Sequence, residues 1–321
     1  MLRFTRILTM GAAVCTLTAS TVAAETPVWA YPVNPPGGQS RPVDRTAKHV
    51  PDSAVTFTRQ ELAVIAGPVP DWHPGEHPAM PAIVGNGRAP AVFACGYCHL
   101  PTGAGRPENA SLAGLSAAYI QRQMIAFSNG DRPGSEPKRG PQTTMIALAK
   151  AVTEAEINDA SAYFASLAPA CFVRVVETAT VPKTVVAGWM LAKAPGGGTE
   201  PIGNRIIEMA EDVERFENRD SRTPYLAYVP VGSIQRGATL IATGGGGRTL
   251  LCTTCHGPEL KGLVDVPRLA GRSPSYLIRQ LYDLRSGARK GGTAELMKPV
   301  VAHLTDEDLV AFAAYLASRQ P

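Results

Sequence analysis

Two five-residue strings constrain this chain more than any other feature: CGYCH at 95–99 and CTTCH at 252–256. Cysteines three apart on one helical turn project to the same side, and the histidine that follows continues that turn. Two thiols so placed reach the vinyl groups of one haem as thioethers while the imidazole meets its iron from below, the c-type attachment pattern. The strings nominate Cys95, Cys98, Cys252 and Cys255 as attachment points of two covalently bound haem c groups, with His99 and His256 as iron ligands. A four-cysteine zinc site built from two CxxC knuckles is the rival, but a knuckle does not need a histidine directly after both pairs.

Both strings lie in an internal repeat. Cys95 and Cys252 are 157 residues apart, and the same offset carries LAGLSAAYIQRQMIAFSNG (112–130) onto LAGRSPSYLIRQLYDLRSG (269–287). After that the offset is 152, because the first copy holds five extra residues; it carries MIALAKAVTEAEINDASAYFASL (145–167) onto MKPVVAHLTDEDLVAFAAYLASR (297–319). Of eight methionines only Met145 and Met297 correspond, each eight residues before a threonine. The order in each copy, attachment string, helix, methionine in a loop, terminal helix, lets a thioether reach the iron opposite the histidine. Met145 and Met297 are therefore the expected sixth ligands. Met124 is the weaker choice, since its counterpart is Leu281 and it lies within an amphipathic helix.

Local patterns read as helix. Thr153 and Thr305 are N-caps, with Glu156 and Asp308 three residues on. Ile157, Ala160, Phe164 and Leu167 then keep helical spacing, as do Leu309, Phe312 and Leu316. Short helices are expected over 79–88 and 233–242. Tyr119, Arg122 and Gln123, like Tyr276, Arg279 and Gln280, share one helix face; they either bond haem propionates or serve packing with a solvated arginine.

The first 24 residues read as a secretory signal: Arg3 and Arg6, an apolar run over 7–19, and Val22-Ala23-Ala24 before Glu25. The run is too short to span a bilayer, and no other segment approaches the required length. Cleavage after Ala24 is expected, leaving a protein outside the cytoplasm, in the periplasm, without a transmembrane anchor; Cys15 goes with the signal. Losing two arginines and no acid lowers the formal charge from +4 to +2, and four ionised haem propionates bring it to about −2. Nothing in that balance points to nucleic acid.

These residues resemble the cytochrome c family, in particular tandem-domain diheme class I cytochromes. The resemblance rests on CGYCH and CTTCH, the LAG-x-S-x-x-Y segments, the Met145 and Met297 loops, and the AYFASL and AYLASR endings. It covers 79–170 and 232–321 and implies a mostly α fold: two class I cytochrome c-like helical domains. It further implies His/Met ligation of both irons and periplasmic transfer of single electrons between a donor dehydrogenase or complex and a terminal oxidase or other acceptor. In that family a backbone carbonyl just before LAG accepts the second N–H of the proximal histidine; Pro267 stands there in the second copy and Ala110 in the first.

Two stretches depart from the resemblance. Residues 25–78 form a Pro-rich N-terminal arm, and 171–231 form an extended or β-like linker, longer than a tandem cytochrome needs. The linker is either a packed bridge or a partner-docking surface. Cys171 has no counterpart in the second copy and reads as an ordinary buried thiol rather than a haem ligand. His73 and His77 read as surface histidines and His303 as incidental. Gly244–Gly247 lacks the context of a phosphate loop and reads as a loop passing near haem. An electron carrier with no catalytic residues is the leading expectation. The alternatives are a diheme enzyme of the peroxidase or thiosulfate dehydrogenase type, which needs an open iron position, and a cytochrome subunit of a larger dehydrogenase complex.

Overall fold

The computed structural model describes residues 26–37 and 44–321. The expected signal segment, its cleavage site and Cys15 lie outside the described residues.

The N-terminal arm carries a two-residue ladder, β1 (Ala47–Lys48) with β2 (Phe57–Thr58), and the short helix α1 (Arg59–Leu62). Next come α2 (Ala82–Gly85), α3 (Cys95–His99), α4 (Ala117–Ser128), α5 (Gly140–Ala151) and α6 (Glu154–Ser166). The second copy contributes α8 (Ser233–Thr243), α9 (Thr253–His256), α10 (Pro274–Arg285), a 3₁₀ turn over Gly292–Met297, α11 (Lys298–Val301) and α12 (Asp306–Ala317). Between the copies run β3 (Val173–Glu177), β4 (Thr180–Pro182), β5 (Thr184–Ala187), β6 (Met190–Lys193), β7 (Thr199–Pro201), β8 (Ile207–Ala210), α7 (Val213–Glu217) and β9 (Tyr225–Val229).

Repeat-matched residues start the repeat-matched helices. Ser116 and Ser273 each accept from the backbone N–H three residues on, at Tyr119 and Tyr276, opening α4 and α10. Thr153 and Thr305 form full capping boxes with Glu156 and Asp308, so Asp308 bonds back to its cap as Glu156 does. The expected helix over 79–88 is one turn, α2, whereas that over 233–242 is all of α8. Met145 departs from expectation: it sits inside α5, not in a loop. Pro141 at the helix start supplies a preset φ, and neither glycine nor proline follows before α5 ends at Ala151. Met297 is not in an open loop either: it closes a 3₁₀ turn that runs directly into α11.

Each copy has its own apolar core. Ile83, Val84, Tyr119, Ile120 and Phe164 pack in the first, and Leu240, Ile278, Leu309 and Phe312 in the second. The second is closed by α12 lying against α8, where a Cβ on Gly237 would stand 2.1 Å from the Ala311 carbonyl oxygen. Only glycine permits that approach.

The linker is β, as its alternation indicated. β9 pairs in parallel with β3 and antiparallel with β8, while β4–β7 and β5–β6 form antiparallel ladders. Of the two roles left open, packing is realised. Glu208 on β8 is buried and accepts from Ser273 Oγ (2.7 Å) and the Ser275 amide (2.9 Å) at the start of α10. On the other side Arg139 donates to the Trp189 carbonyl at 3.1 Å. The arm is fastened too: Trp72 Nε1 donates to the Asn218 carbonyl (2.7 Å), and Tyr31 donates to Asp283 (2.8 Å).

Candidate functional site

Each attachment string forms a single helical turn, α3 or α9, ended by a loop that doubles back beneath the histidine. In the first copy the Gly105 amide donates to the His99 carbonyl at 3.0 Å; in the second Gly262 donates to His256 at 2.9 Å. Both glycines have positive φ, 70° and 90°, and a Cβ there would lie 2.5 Å from the Ala110 oxygen or 2.8 Å from the Val266 oxygen. Glycine is thus required for the loop to close. Closure sets His99 Nδ1 2.8 Å from the Ala110 carbonyl oxygen and His256 Nδ1 2.7 Å from that of Pro267. With Nδ1–H donating to a carbonyl, Nε2 is left as the free lone pair, which is what a metal-bound imidazole needs. Burial pushes both rings below their usual pKa against these hydrogen bonds, with Arg132 adding to the effect at His99 and Arg272 at His256. Both are held neutral.

Burial also pushes the Cys95 thiol up to about 12 and Cys252 to about 11. The two CxxC pairs are not brought together, and among the described residues no group of three or more His, Cys, Asp or Glu is arranged to hold a metal ion. The rival zinc reading has no site.

A cavity with about 1250 Å³ of atom-free space, part of it open to solvent, adjoins α3. Cys95, Cys98 and His99 form one part of its wall; Met124 and Met145 both lie in the lining, with Leu115, Ile120 and Phe164. A second part of the wall comes from the other copy through Arg272, Tyr276, Arg279 and Gln280. In the second copy His256 is buried, and Cys252 and Met297 pack against the same apolar core.

The first cavity carries a cationic surplus. Arg132, Arg139, Arg272 and Arg279 are all buried in its lining, against Glu108 and Glu156, and Glu156 is already engaged by Arg88 at 2.7 Å. Burial and then the Arg279 charge push Arg139 down to about 8. Against the opposing effect of burial, Arg132, Arg272 and Arg289 pull the Tyr276 hydroxyl down to about 7. Nε of Arg139 and of Arg272 has no hydrogen-bond partner. The guanidinium groups otherwise donate to backbone carbonyls and neutral side chains; buried cations short of opposing charge are expensive, and the two carboxylates of a bound porphyrin would supply it. An apolar cavity with two thiols, a neutral imidazole and this arginine cluster fits haem.

Tyr119, Gln123, Tyr276 and Gln280 do something the sequence left open. Arg132 donates to Gln123 Oε1 (3.0 Å) in its own copy and to Tyr276 Oη (3.1 Å) and Gln280 Oε1 (2.6 Å) in the other. Arg289 donates to Gln280 Oε1 (3.0 Å) in its own copy and to Tyr119 Oη (3.2 Å) and Gln123 Oε1 (3.0 Å) in the other. Arg132 and Arg289 are themselves 157 residues apart, so the network is reciprocal between the copies. Sequence reading missed this pair, although extending the offset two residues past Gly130 and Gly287 finds it. The other shared-face residues diverge: Arg122 pairs with Asp265 (3.1 Å), while Arg279 is buried and donates to the Pro107 carbonyl.

The remaining candidates are plain, with two corrections. His73 is not a surface histidine: it is 6% exposed, with Nε2 3.2 Å from Asp220, whose other oxygen accepts from Arg215 at 2.6 Å. The arm folds over it because Trp72 anchors beside it. Nor is His77 a surface histidine: its imidazole is buried, with Nε2 3.2 Å from Asp71. His303 is exposed. Cys171 is a half-buried free thiol 3.6 Å from the Val173 carbonyl, outside the cavity lining. Gly244–Gly247 caps the end of α8.

Repeated thiol pairs with buried, carbonyl-oriented histidines define a protein with two covalent haem sites. Comparison with known proteins agrees. The family model for cytochrome c matches residues 234–320. Cytochrome c-554(548) of Halomonas halodenitrificans is 43% identical over 70 residues, 22% of this chain and 84% of that protein. Cytochrome c4 of Stutzerimonas stutzeri is 24% identical over 245 residues, 75% of this chain and 90% of that one. Among solved structures, thiosulfate dehydrogenase from Marichromatium purpuratum in its as-isolated form superposes with a TM-score of 0.51 at 27% identity. That match covers 74% of this chain, which spans 39% of the other's length. The chain belongs to the cytochrome c family. It is a diheme class I member, and its cofactors are two covalently bound haem c groups.

Proposed function

We propose that this chain is a periplasmic diheme electron carrier that passes single electrons between a donor dehydrogenase or complex and a downstream acceptor. In this reading 79–170 and 232–321 are the two haem domains, 25–78 an arm, 171–231 a structural insert, and 1–24 a signal cleaved after Ala24. Cys95 and Cys98 anchor one haem and Cys252 and Cys255 the other; His99 with Met145, and His256 with Met297, are the axial ligands. Among the described residues no helix is long and apolar enough to cross a membrane.

Haem c supplies reversible one-electron chemistry when bound. The chain's own groups do the rest. The Ala110 and Pro267 carbonyls fix the tautomer and orientation of each imidazole. The apolar lining lowers the local dielectric, and the Arg132 and Arg289 network locks the copies in register, which keeps the distance between the two centres fixed.

The observation that carries this reading is the reciprocal network: it ties two repeat-equivalent sites face to face, an arrangement suited to passing electrons from one to the other. The test is the optical spectrum of the oxidised protein. Two equivalents of the weak far-red methionine-to-iron band are expected; one or none, together with peroxide or thiosulfate turnover, would establish an enzyme instead. The likeness to thiosulfate dehydrogenase makes thiosulfate the substrate to try in that assay. The placement of Cys171 outside the cavity lining argues against a thiolate-ligated first centre.

A further inference from the structure

Although the two attachment loops are built alike, the chain surrounds them differently. In the first copy Tyr97, between the two cysteines, is 9% exposed and Cys98 is half-buried; their counterparts Thr254 and Cys255 are exposed. Further along, Arg106 is 8% exposed where Leu263 is 52%, and Pro107 is buried where Val264 is 88% exposed.

The cover over the first loop comes from segments the second copy lacks. From the insert, the Arg219 guanidinium lies 3.5 Å over the Tyr97 ring and donates to the Tyr97 carbonyl at 2.7 Å. Phe216, at the end of α7, receives Arg106 at 3.9 Å from its ring centre. From the arm, Val69 packs with Ala94 and Tyr97. Trp72 joins arm to insert through Asn218. A stacked cation, a charge-assisted hydrogen bond and buried apolar contacts make this a fixed cover rather than a loose flap.

Around the second loop Leu251, Leu263 and Val264 are exposed apolar residues. Leu251 accepts from the Thr254 amide, and the Gly262 amide donates to His256, so Leu251, Leu263 and Val264 flank the exposed Cys255. Nearby charges are paired locally, Lys261 with Glu259 at 3.2 Å and Asp265 with Arg122 at 3.1 Å. An apolar rim with compensated charge suits a brief, weakly salt-dependent encounter.

We infer that the second haem is the port through which this protein exchanges electrons, and that its partner is a redox protein presenting a cofactor edge within an apolar rim. The first haem is insulated by the insert and arm and exchanges only through the second. One electron leaves the second centre for the partner's oxidised cofactor, which is reduced; an electron from the first centre then refills the second.

This inference rests on the two-haem reading above. The test is proton NMR of the oxidised holoprotein titrated with a neutral gadolinium chelate, with each haem's methyl signals assigned through Overhauser contacts to Tyr97 or Thr254. The signals of the second haem should broaden several-fold more steeply than those of the first. In Phe216→Ala or Arg219→Ala, which thin the cover, the first haem's signals should become sensitive. Electron self-exchange between oxidised and reduced copies, where a second copy serves as the apolar-rimmed probe, should slow several-fold in the Leu263→Glu/Val264→Glu double variant while both optical spectra stay unchanged. Equal broadening of the two haems in the wild type, or unchanged self-exchange in the double variant, overturns the inference. Absence of a second set of haem signals would instead sink the two-haem reading.

Discussion

Replacing Arg132 and Arg289 by methionine, singly and together, tests whether the two copies are held by one shared network or by two independent contacts. Each glutamine oxygen accepts from both arginines: Gln123 at 3.0 Å from each, Gln280 at 2.6 Å from Arg132 and 3.0 Å from Arg289. After Arg132→Met both amide oxygens keep a donor and only Tyr276 loses its partner; after Arg289→Met only Tyr119 does. Each single variant should then cost about 1–2 kcal/mol. In the double variant both amide oxygens are also stripped, at about 1 kcal/mol apiece given their partial burial. Two nearby guanidinium groups also repel, and removing either one relieves that repulsion, so the double variant gains no second relief. Both effects have the same sign, and the double variant should exceed the sum of the singles by about 2 kcal/mol. Reversible urea unfolding of the holoprotein, followed by far-ultraviolet circular dichroism and by haem absorbance, measures the cycle. Additivity within about 0.5 kcal/mol would refute the shared network.

Three further outcomes follow from single positions. Gly237→Ala should destabilise the second copy by about 1–3 kcal/mol, since its Cβ meets the Ala311 backbone and the helix-propensity gain of about 1 kcal/mol offsets only part of that; thermal unfolding checks it. Met145→Ala and Met297→Ala should each remove one equivalent of the far-red band and lower that haem's potential, read by spectroelectrochemistry; an unchanged band would reassign the ligand, with Met124 next in line for the first haem. The Arg88 hydrogen bond, then that to Thr153, lowers Glu156 from 4.5 to about 2. Its stabilising contribution is thus present above about pH 4.5 and is lost as pH falls towards 2. Glu156→Gln should flatten stability in that window, by under about 1 kcal/mol because Arg88 is half exposed, as acid titration followed by circular dichroism would show.

Much of the chemistry is local, and local chemistry is legible. A CxxCH turn needs only its own five residues. The histidine's carbonyl partner lies 11 residues on in both copies, and a glycine of fixed position closes the loop between. Capping boxes likewise depend on residues three apart, so Thr153 and Thr305 announced their helices. Repeat correspondence singles out Met145 as a candidate but not its setting, because loop and helix at that position differ by backbone hydrogen bonds that spacing does not encode.

What the sequence by itself determined is the presence of two covalent haems, the two CxxCH turns and the duplicated helical frame, since each follows from short-range spacing or from comparing the chain with itself. Tertiary structure alone decided which charges meet and which surfaces are covered. The burial of His73 against Asp220, the arginine cluster at the first cavity and the stacking of Arg219 on Tyr97 join residues far apart in the chain. Burial and electrostatics depend on distance in space, so identical motifs acquire different surroundings once an arm and an insert fold over one of them and leave the other bare.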